Sequence, residues 1–168
     1  AASDVYKRQL SKQSNLAGYR AAFAAGDPQL VATLVNTRKH AGMIVPAPVQ
    51  HAMAVALADD AHVAEQKDRY RRRRDALRTA LEASGHTVDH SEAGLYLWTR
   101  RADLDPADAT AQDSWDLLGE LADLGIIAGP GVFYGAGGDG YVRVAITATD
   151  EAVARAAARL TARGPRTG

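Results

Sequence analysis

After Gly85 the hydrophobic pattern of this 168-residue chain changes period, and that change limits the folds open to it. Before Gly85, apolar residues recur three or four apart. Leu30, Val31, Leu34 and Val35 follow the Gly26-Asp27-Pro28 turn, and Val63, Tyr70, Leu77 and Leu81 mark a longer run. That spacing gathers side chains on one face of a helix. After Gly85, alternation takes over in Gly94-Leu95-Tyr96-Leu97-Trp98-Thr99 and again from Tyr141 to Thr147. In the latter, Val142, Val144 and Ile146 share one side and Arg143 and Ala145 the other, the signature of a strand.

The second half therefore reads strand, strand, helix, strand, strand, helix. Its strands are expected at 87–89, 94–99, 126–128 and 141–147. Its helices are expected at about 112–124, with Trp115, Leu118, Leu121 and Leu124 on one face, and after the cap Thr149, with Val153, Ala156, Ala157 and Leu160 packing inward. Such an order makes a compact α+β layer. The first half reads as an extended segment over 19–25 and helices over 28–39, 49–57 and from the Asp59-Asp60 cap to about Ser84. It has too few strands to close a sheet, so an incomplete domain followed by a complete small one is expected. No element is expected in residues 1–9, which resemble a translated adapter artefact and are read as foreign.

Charge excludes several partners. Lys and Arg total 20 and so do Asp and Glu, which gives no electrostatic case for nucleic acid or an anionic membrane. The run Tyr70-Arg71-Arg72-Arg73-Arg74 is basic, but successive arginines point about 100° apart around a helix. It reads as a solvated or domain-bridging face; a helical nucleic-acid-binding module is the non-enzyme alternative. No apolar stretch approaches the ~20 residues of a membrane span. The chain has no cysteine, hence no disulfide framework and no thiolate metal site; no metal site is expected, and a cytoplasmic location fits.

Three residues outside the core can carry chemistry. Lys12 is one of only four lysines, with Lys7, Lys39 and Lys67, and it sits among small polar residues and glycine. Lysine can become a neutral amine and act as a nucleophile, which arginine cannot. Arg20 follows in the same segment. Arg143 interrupts an apolar strand, so it either points to water from an edge strand or meets an anion. The glycines from Gly129 to Gly140 match no phosphate-binding fingerprint and read as a loop shaped for close backbone approach.

Ser11-Lys12 with Gly18 and Arg20, Gly94-Leu95-Tyr96-Leu97-Trp98, Pro130-Gly131 with Phe133 and Gly135, and Gly140-Tyr141-Val142-Arg143 together resemble the fold-type I, pyridoxal-phosphate-dependent aminotransferases of class I/II. The resemblance runs from Ser11 to about Ala162. It implies an α/β fold, the C-terminal part of a fold-type I transferase: the tail of the large domain with an interdomain helix over residues 10–75, and a small α+β domain over 76–168. It implies pyridoxal 5'-phosphate as cofactor and an amino acid and a 2-oxo acid as substrates. It also implies a homodimer when full length, with residues 43–48 near the subunit interface. By the same resemblance Lys12 forms the Schiff base with the cofactor, Arg20 binds its phosphate and Arg143 holds the substrate α-carboxylate. Ser11 to Arg20, Arg38 to Gly42 and His90 to Tyr96 look most like the actinobacterial N-succinyldiaminopimelate aminotransferase subfamily, with an aspartate or aromatic amino acid enzyme as the alternative. The family's acidic partner for the pyridine nitrogen, its ring-stacking aromatic and its phosphate loop precede the lysine. The chain alone is therefore expected neither to bind cofactor tightly nor to turn over.

Overall fold

The computed structural model describes residues 5–165. They divide into two compact units, one ending at Lys67 and the other beginning at Asp68. In the first, β1 (Val5–Gln9) leads into the short helix α1 (Leu10–Gln13), a 3-10 turn (Ala17–Tyr19) and β2 (Ala22–Gly26). The two strands pair antiparallel, with Gln9 opposite Ala22 and Tyr6 opposite Ala25. No element was expected before Ser11, so β1 is a correction. Ladder hydrogen bonds use backbone groups that any sequence carries, and the extended segment over 22–26 supplies the partner. Pairing of this kind is independent of the segment's origin, and residues 1–4 of the segment read as foreign lie outside the described residues.

Helix α2 (Pro28–His40) starts where the Asp27 carboxylate accepts hydrogen bonds from the Gln29 and Leu30 amides at 2.9 and 3.0 Å. Pro28 occupies a position whose N–H has no helical partner anyway. Helix α3 (Ala47–Leu57) begins two residues before the expected start at Val49, because Pro48 fits an early helical position. Leu10, Ala21 and Met53 form the unit's small core, flanked by Leu16, Phe23, Val45, Val49 and Ala56. Helix α2 buries none of its residues; Leu30, Leu34 and Val35 are all exposed.

Helix α4 (Ala61–Ala83) crosses the division, and the second unit is built on its C-terminal part. Strands β3 (His86–Asp89), β4 (Tyr96–Arg101), β5 (Gly129–Pro130) and β6 (Tyr141–Ala145) form one antiparallel sheet in the order β3-β4-β6-β5. Helices α5 (Ala111–Asp123) and α6 (Asp150–Arg163) join α4 in covering it. Leu97, Val142 and Val144 from the sheet pack with Leu77 and Leu81, with Leu117 and Leu121, and with Val153 and Leu160. The expected strand and helix order holds.

Three local expectations are corrected in part. The buried face of α5 is Ser114, Leu117 and Leu121; of the expected stripe Leu121 is fully buried, but Trp115 is 44% exposed and Leu118 and Leu124 are only partly buried. The polar Ser114 hides the true register: its hydroxyl donates to the Gly138 carbonyl at 3.1 Å, which lets a serine occupy the core stripe. The short strand expected at 126–128 forms instead at 129–130. Ile126 is drawn into the core, while Ile127 is 94% exposed. The arginine run, in turn, divides: Arg71 and Arg72 are exposed as expected, whereas Arg73 and Arg74, with Arg78 one turn on, are held within the second unit. Arg73 pairs with Asp150, Arg74 donates to the Gly94 carbonyl, and Arg78 donates to the Ser91 carbonyl at 3.0 Å. Those three are half-buried rather than solvated.

Between β5 and β6 the chain makes two 3-10 turns, Gly131–Tyr134 and Ala136–Gly138. A Cβ on Gly131 would collide with the Gly138 carbonyl, and one on Gly138 with the Gly131 carbonyl. The glycine loop is thus shaped for close backbone approach, as its composition suggests.

Candidate active site

Lys12 and Arg20 lie in the first unit, on the connection between β1 and β2. Leu10 is 1% exposed and roots α1 in the small core, while its carbonyl accepts from the Ser14 and Leu16 amides at 3.0 and 3.3 Å. That anchoring leaves Lys12, two residues on, exposed on the helix's last turn. His62 stiffens the segment: its Nε2 lies 2.9 Å from the Ser14 hydroxyl and its Nδ1 3.1 Å from the Asp59 carboxylate. Arg20 ends the 3-10 turn in the left-handed region, at φ 51°. Few residues with a side chain adopt that conformation, and they concentrate at functional positions. Its guanidinium donates to the Ala17 carbonyl at 3.3 Å and lines an apolar groove of about 890 Å³ with Phe23, Val31, Leu34 and Met53.

Arg143 lies in the second unit, at the middle of β6. This strand is internal to the sheet, so the edge-strand reading is excluded. Its register partners are Trp98 on β4 and Gly129 on β5, both on the face opposite the helices. Gly129 contributes no side chain, and a Cβ there would meet the Tyr134 hydroxyl at 3.5 Å, so the Tyr134 side chain takes up that space. The guanidinium carbon lies 4.1 Å from the ring centroid of Tyr96 and 4.9 Å from that of Tyr134. Every ion pair found among the described residues uses other cations, such as Arg100 with Asp89 and Arg101 with Glu120. Arg143 is therefore half-buried and charged, without a carboxylate of its own chain to meet.

Sequence reasoning missed the rings around it. Trp98 meets Tyr134 edge-on at 5.7 Å and stacks on Tyr141 at 5.1 Å. Tyr141 donates its hydroxyl to Asp89 at 2.9 Å, and Asp89 accepts from Arg100 at 2.8 Å. Burial alone would push the Asp89 carboxyl up, but the hydrogen bonds from Arg100 and Tyr141 outweigh it and hold the group below the usual carboxylate range. Burial and the Asp89 carboxylate together push the Tyr141 phenol up. The alternation in β4 already put Tyr96 and Trp98 on one face. Only the strand register shows that this is also the face of Arg143, and Tyr134 lies in a loop with no periodic signal.

The donor set suits the group that the resemblance implies. Lys12 offers a primary amine for an aldehyde. Arg20 offers a guanidinium whose one hydrogen-bond partner among the described residues is a neutral carbonyl, leaving donors for a phosphate. Among the described residues no cluster of His, Asp and Glu could hold a metal ion.

Comparison with known proteins gives one answer. The family model for aminotransferase class I and II matches residues 4–160. The 4-dedimethylamino-4-oxo-anhydrotetracycline transaminase of Streptomyces rimosus is 57% identical over 152 residues, which is 90% of this chain and 40% of that protein. A probable aminotransferase of Mycobacterium tuberculosis is 56% identical over 90% of this chain and 34% of its own. Among solved structures, a probable N-succinyldiaminopimelate aminotransferase from Thermus thermophilus superposes with a TM-score of 0.73 at 29% identity, covering 95% of this chain and 41% of that one. The chain thus spans about two fifths or less of the relatives it matches, with the fold of their C-terminal portion. With its sequence matched almost end to end, the chain belongs to the class I and II aminotransferases.

Proposed function

We propose that the protein containing this chain is a transaminase that moves an amino group between an amino acid and a 2-oxo acid. The observation that carries this beyond family membership is Arg143: an unpaired guanidinium on an internal strand, where a substrate carboxylate is the missing counter-charge. Enzymes of this family work with pyridoxal phosphate. When bound, that cofactor supplies the electron sink that makes the substrate Cα–H bond acidic. The chain's own residues do the rest. Lys12 would hold the cofactor's aldehyde end, and its free amine would take the substrate Cα proton on Nζ and hold it for redelivery. Arg20 binds the phosphate, and Arg143 grips the α-carboxylate by two parallel N–H···O bonds.

For the amino donor, N-succinyl-LL-2,6-diaminopimelate is favoured. The segments Ser11 to Arg20 and His90 to Tyr96 are similar to that subfamily, and the Thermus thermophilus structure carries its name. With 2-oxoglutarate as acceptor, this places the enzyme in diaminopimelate and lysine biosynthesis, as a cytosolic homodimer. The 57% identity to the Streptomyces rimosus transaminase favours one rival, an oxidised anhydrotetracycline as amino acceptor. Aspartate or an aromatic amino acid remains the alternative donor. Glutamate formation by the full-length protein, measured with each donor and 2-oxoglutarate, separates the donor readings, and 2-oxoglutarate formation from glutamate with the 4-oxo-anhydrotetracycline as acceptor tests the rival. Lys12→Ala and Lys12→Arg should each lower kcat by a factor of at least about 10²; activity persisting in Lys12→Arg would overturn the role given to the amine.

A further inference from the structure

We propose that Tyr96 and Tyr134 are positioning residues for the substrate carboxylate, acting through Arg143. The inference rests on the reading of Arg143 as the carboxylate anchor and goes beyond it. An arginine side chain has many rotamers, and a bidentate grip needs one of them held before substrate arrives. Arg143 has neither an acidic partner nor a hydrogen bond among the described residues to hold it. What it has is two ring faces, with its guanidinium carbon 4.1 Å from the Tyr96 centroid and 4.9 Å from the Tyr134 centroid. A guanidinium stacked on aromatic faces keeps its N–H groups in the plane between them, so its donors are offered edge-on to a planar carboxylate.

The rings are themselves fixed. Tyr134 is met edge-on by Trp98, Trp98 is stacked on Tyr141, and the Tyr141 hydroxyl is tied to Asp89, which Arg100 holds in turn. The second ring, Tyr96, stands on β4 two residues before Trp98 and on the same face. Strand β4 thus orients Tyr96, contact with Trp98 orients Tyr134, and the two rings orient a cation with no ion pair or side-chain hydrogen bond among the described residues. A carboxylate carried on the substrate would find its partner already aimed.

The test uses full-length enzyme carrying Tyr96→Leu, Tyr134→Leu, the corresponding Tyr→Phe changes and Arg143→Lys. Both tyrosines are well exposed, at 37% and 50%, so truncation leaves the core intact. Each Leu variant should raise KM for the amino donor and for 2-oxoglutarate by about tenfold with kcat unchanged, and each Phe variant should restore KM because the ring face carries the contact. A second readout is independent of turnover. In the proton–nitrogen spectrum, the Arg143 Nε–H signal, displaced by ring currents, should move toward the ordinary arginine position in the Leu variants and stay in the Phe variants. If Arg143→Lys raises KM while both Leu variants leave KM and the Arg143 signal unchanged, the positioning role is overturned and the carboxylate reading survives. If Arg143→Lys leaves KM unchanged, the carboxylate reading itself falls and the positioning role with it. A Leu variant that lowers kcat at constant KM also overturns the proposal.

Discussion

Tyr141 on β6 reaches past the intervening strand β4 to place its hydroxyl 2.9 Å from the Asp89 carboxylate on β3. Backbone pairing joins only neighbours in the sheet, so this side-chain bond ties together two strands that the ladder leaves apart. The same ring stacks on Trp98, so the tie doubles as the far support of the aromatic row beside Arg143.

Tyr141→Phe keeps the stacked ring and removes only the hydroxyl. It should cost about 1 kcal/mol in denaturant unfolding, the usual worth of one hydrogen bond, because Asp89 keeps its Arg100 partner. The acid limb should change as well. The folded-state pKa of Asp89 lies below its unfolded value, so its contribution is present above about pH 4 and is lost as pH falls through the depressed value. Tyr141→Phe should therefore flatten the loss of stability below pH 4, as read by urea midpoints across that range.

His86 is 3% exposed, with Nδ1 3.0 Å from the Ser84 hydroxyl and Nε2 without a hydrogen-bond partner among the described residues. Burial, with the nearby Arg163 and Arg101 charges adding to it, pushes its pKa down against the pull of the Leu81 carbonyl and Glu120. The unfolded chain then takes up the proton first, near pH 6.5, and stability falls as pH drops from there toward the lowered folded value. The thermal midpoint should decline between pH 7 and pH 5, and His86→Leu should remove that decline while leaving the carboxylate-driven loss at lower pH.

Leu117 and Leu118 are adjacent, but only Leu117 is fully buried, packed among Leu97, Leu121 and Val142. Leu117→Ala should cost about 2–5 kcal/mol and Leu118→Ala clearly less, since a partly exposed site loses less transfer energy and leaves no closed cavity. Equal losses in chemical denaturation would contradict the register of α5.

The 168-residue chain should leave the absorbance spectrum of added pyridoxal phosphate unchanged at stoichiometric concentration. Lys12 and Arg20 are both exposed, and donors in contact with water gain little by trading it for a ligand. A new visible band that disappears in Lys12→Ala would show that these residues suffice.

Much of this was legible in the chain itself. The period change at Gly85, the Asp27-Pro28 start of α2, the Thr149 start of α6 and the inward set Val142, Val144 and Ile146 are local properties, written in spacing and capping chemistry. Lys12 and Arg143 stand out for a similar reason, each unusual among its immediate neighbours, and the roles proposed for them and for Arg20 come from the family resemblance. Element edges were less so. Residues 126–130 could pair at more than one point, and the choice fell to which apolar side chain, Ile126 or Ile127, the core could take.

The sequence by itself determined which residues alternate, where the capped helices α2 and α6 start, and which charged side chains stand out from their neighbours, because these depend on residues a few positions apart. Only the tertiary structure decided that Arg143 sits on an internal strand rather than an edge, that Tyr96 and Tyr134 flank it, and that Arg73, Arg74 and Arg78 are spent on their own unit. Those outcomes depend on strand order and register, which are set by the summed burial of the whole core and by no single stretch of the chain.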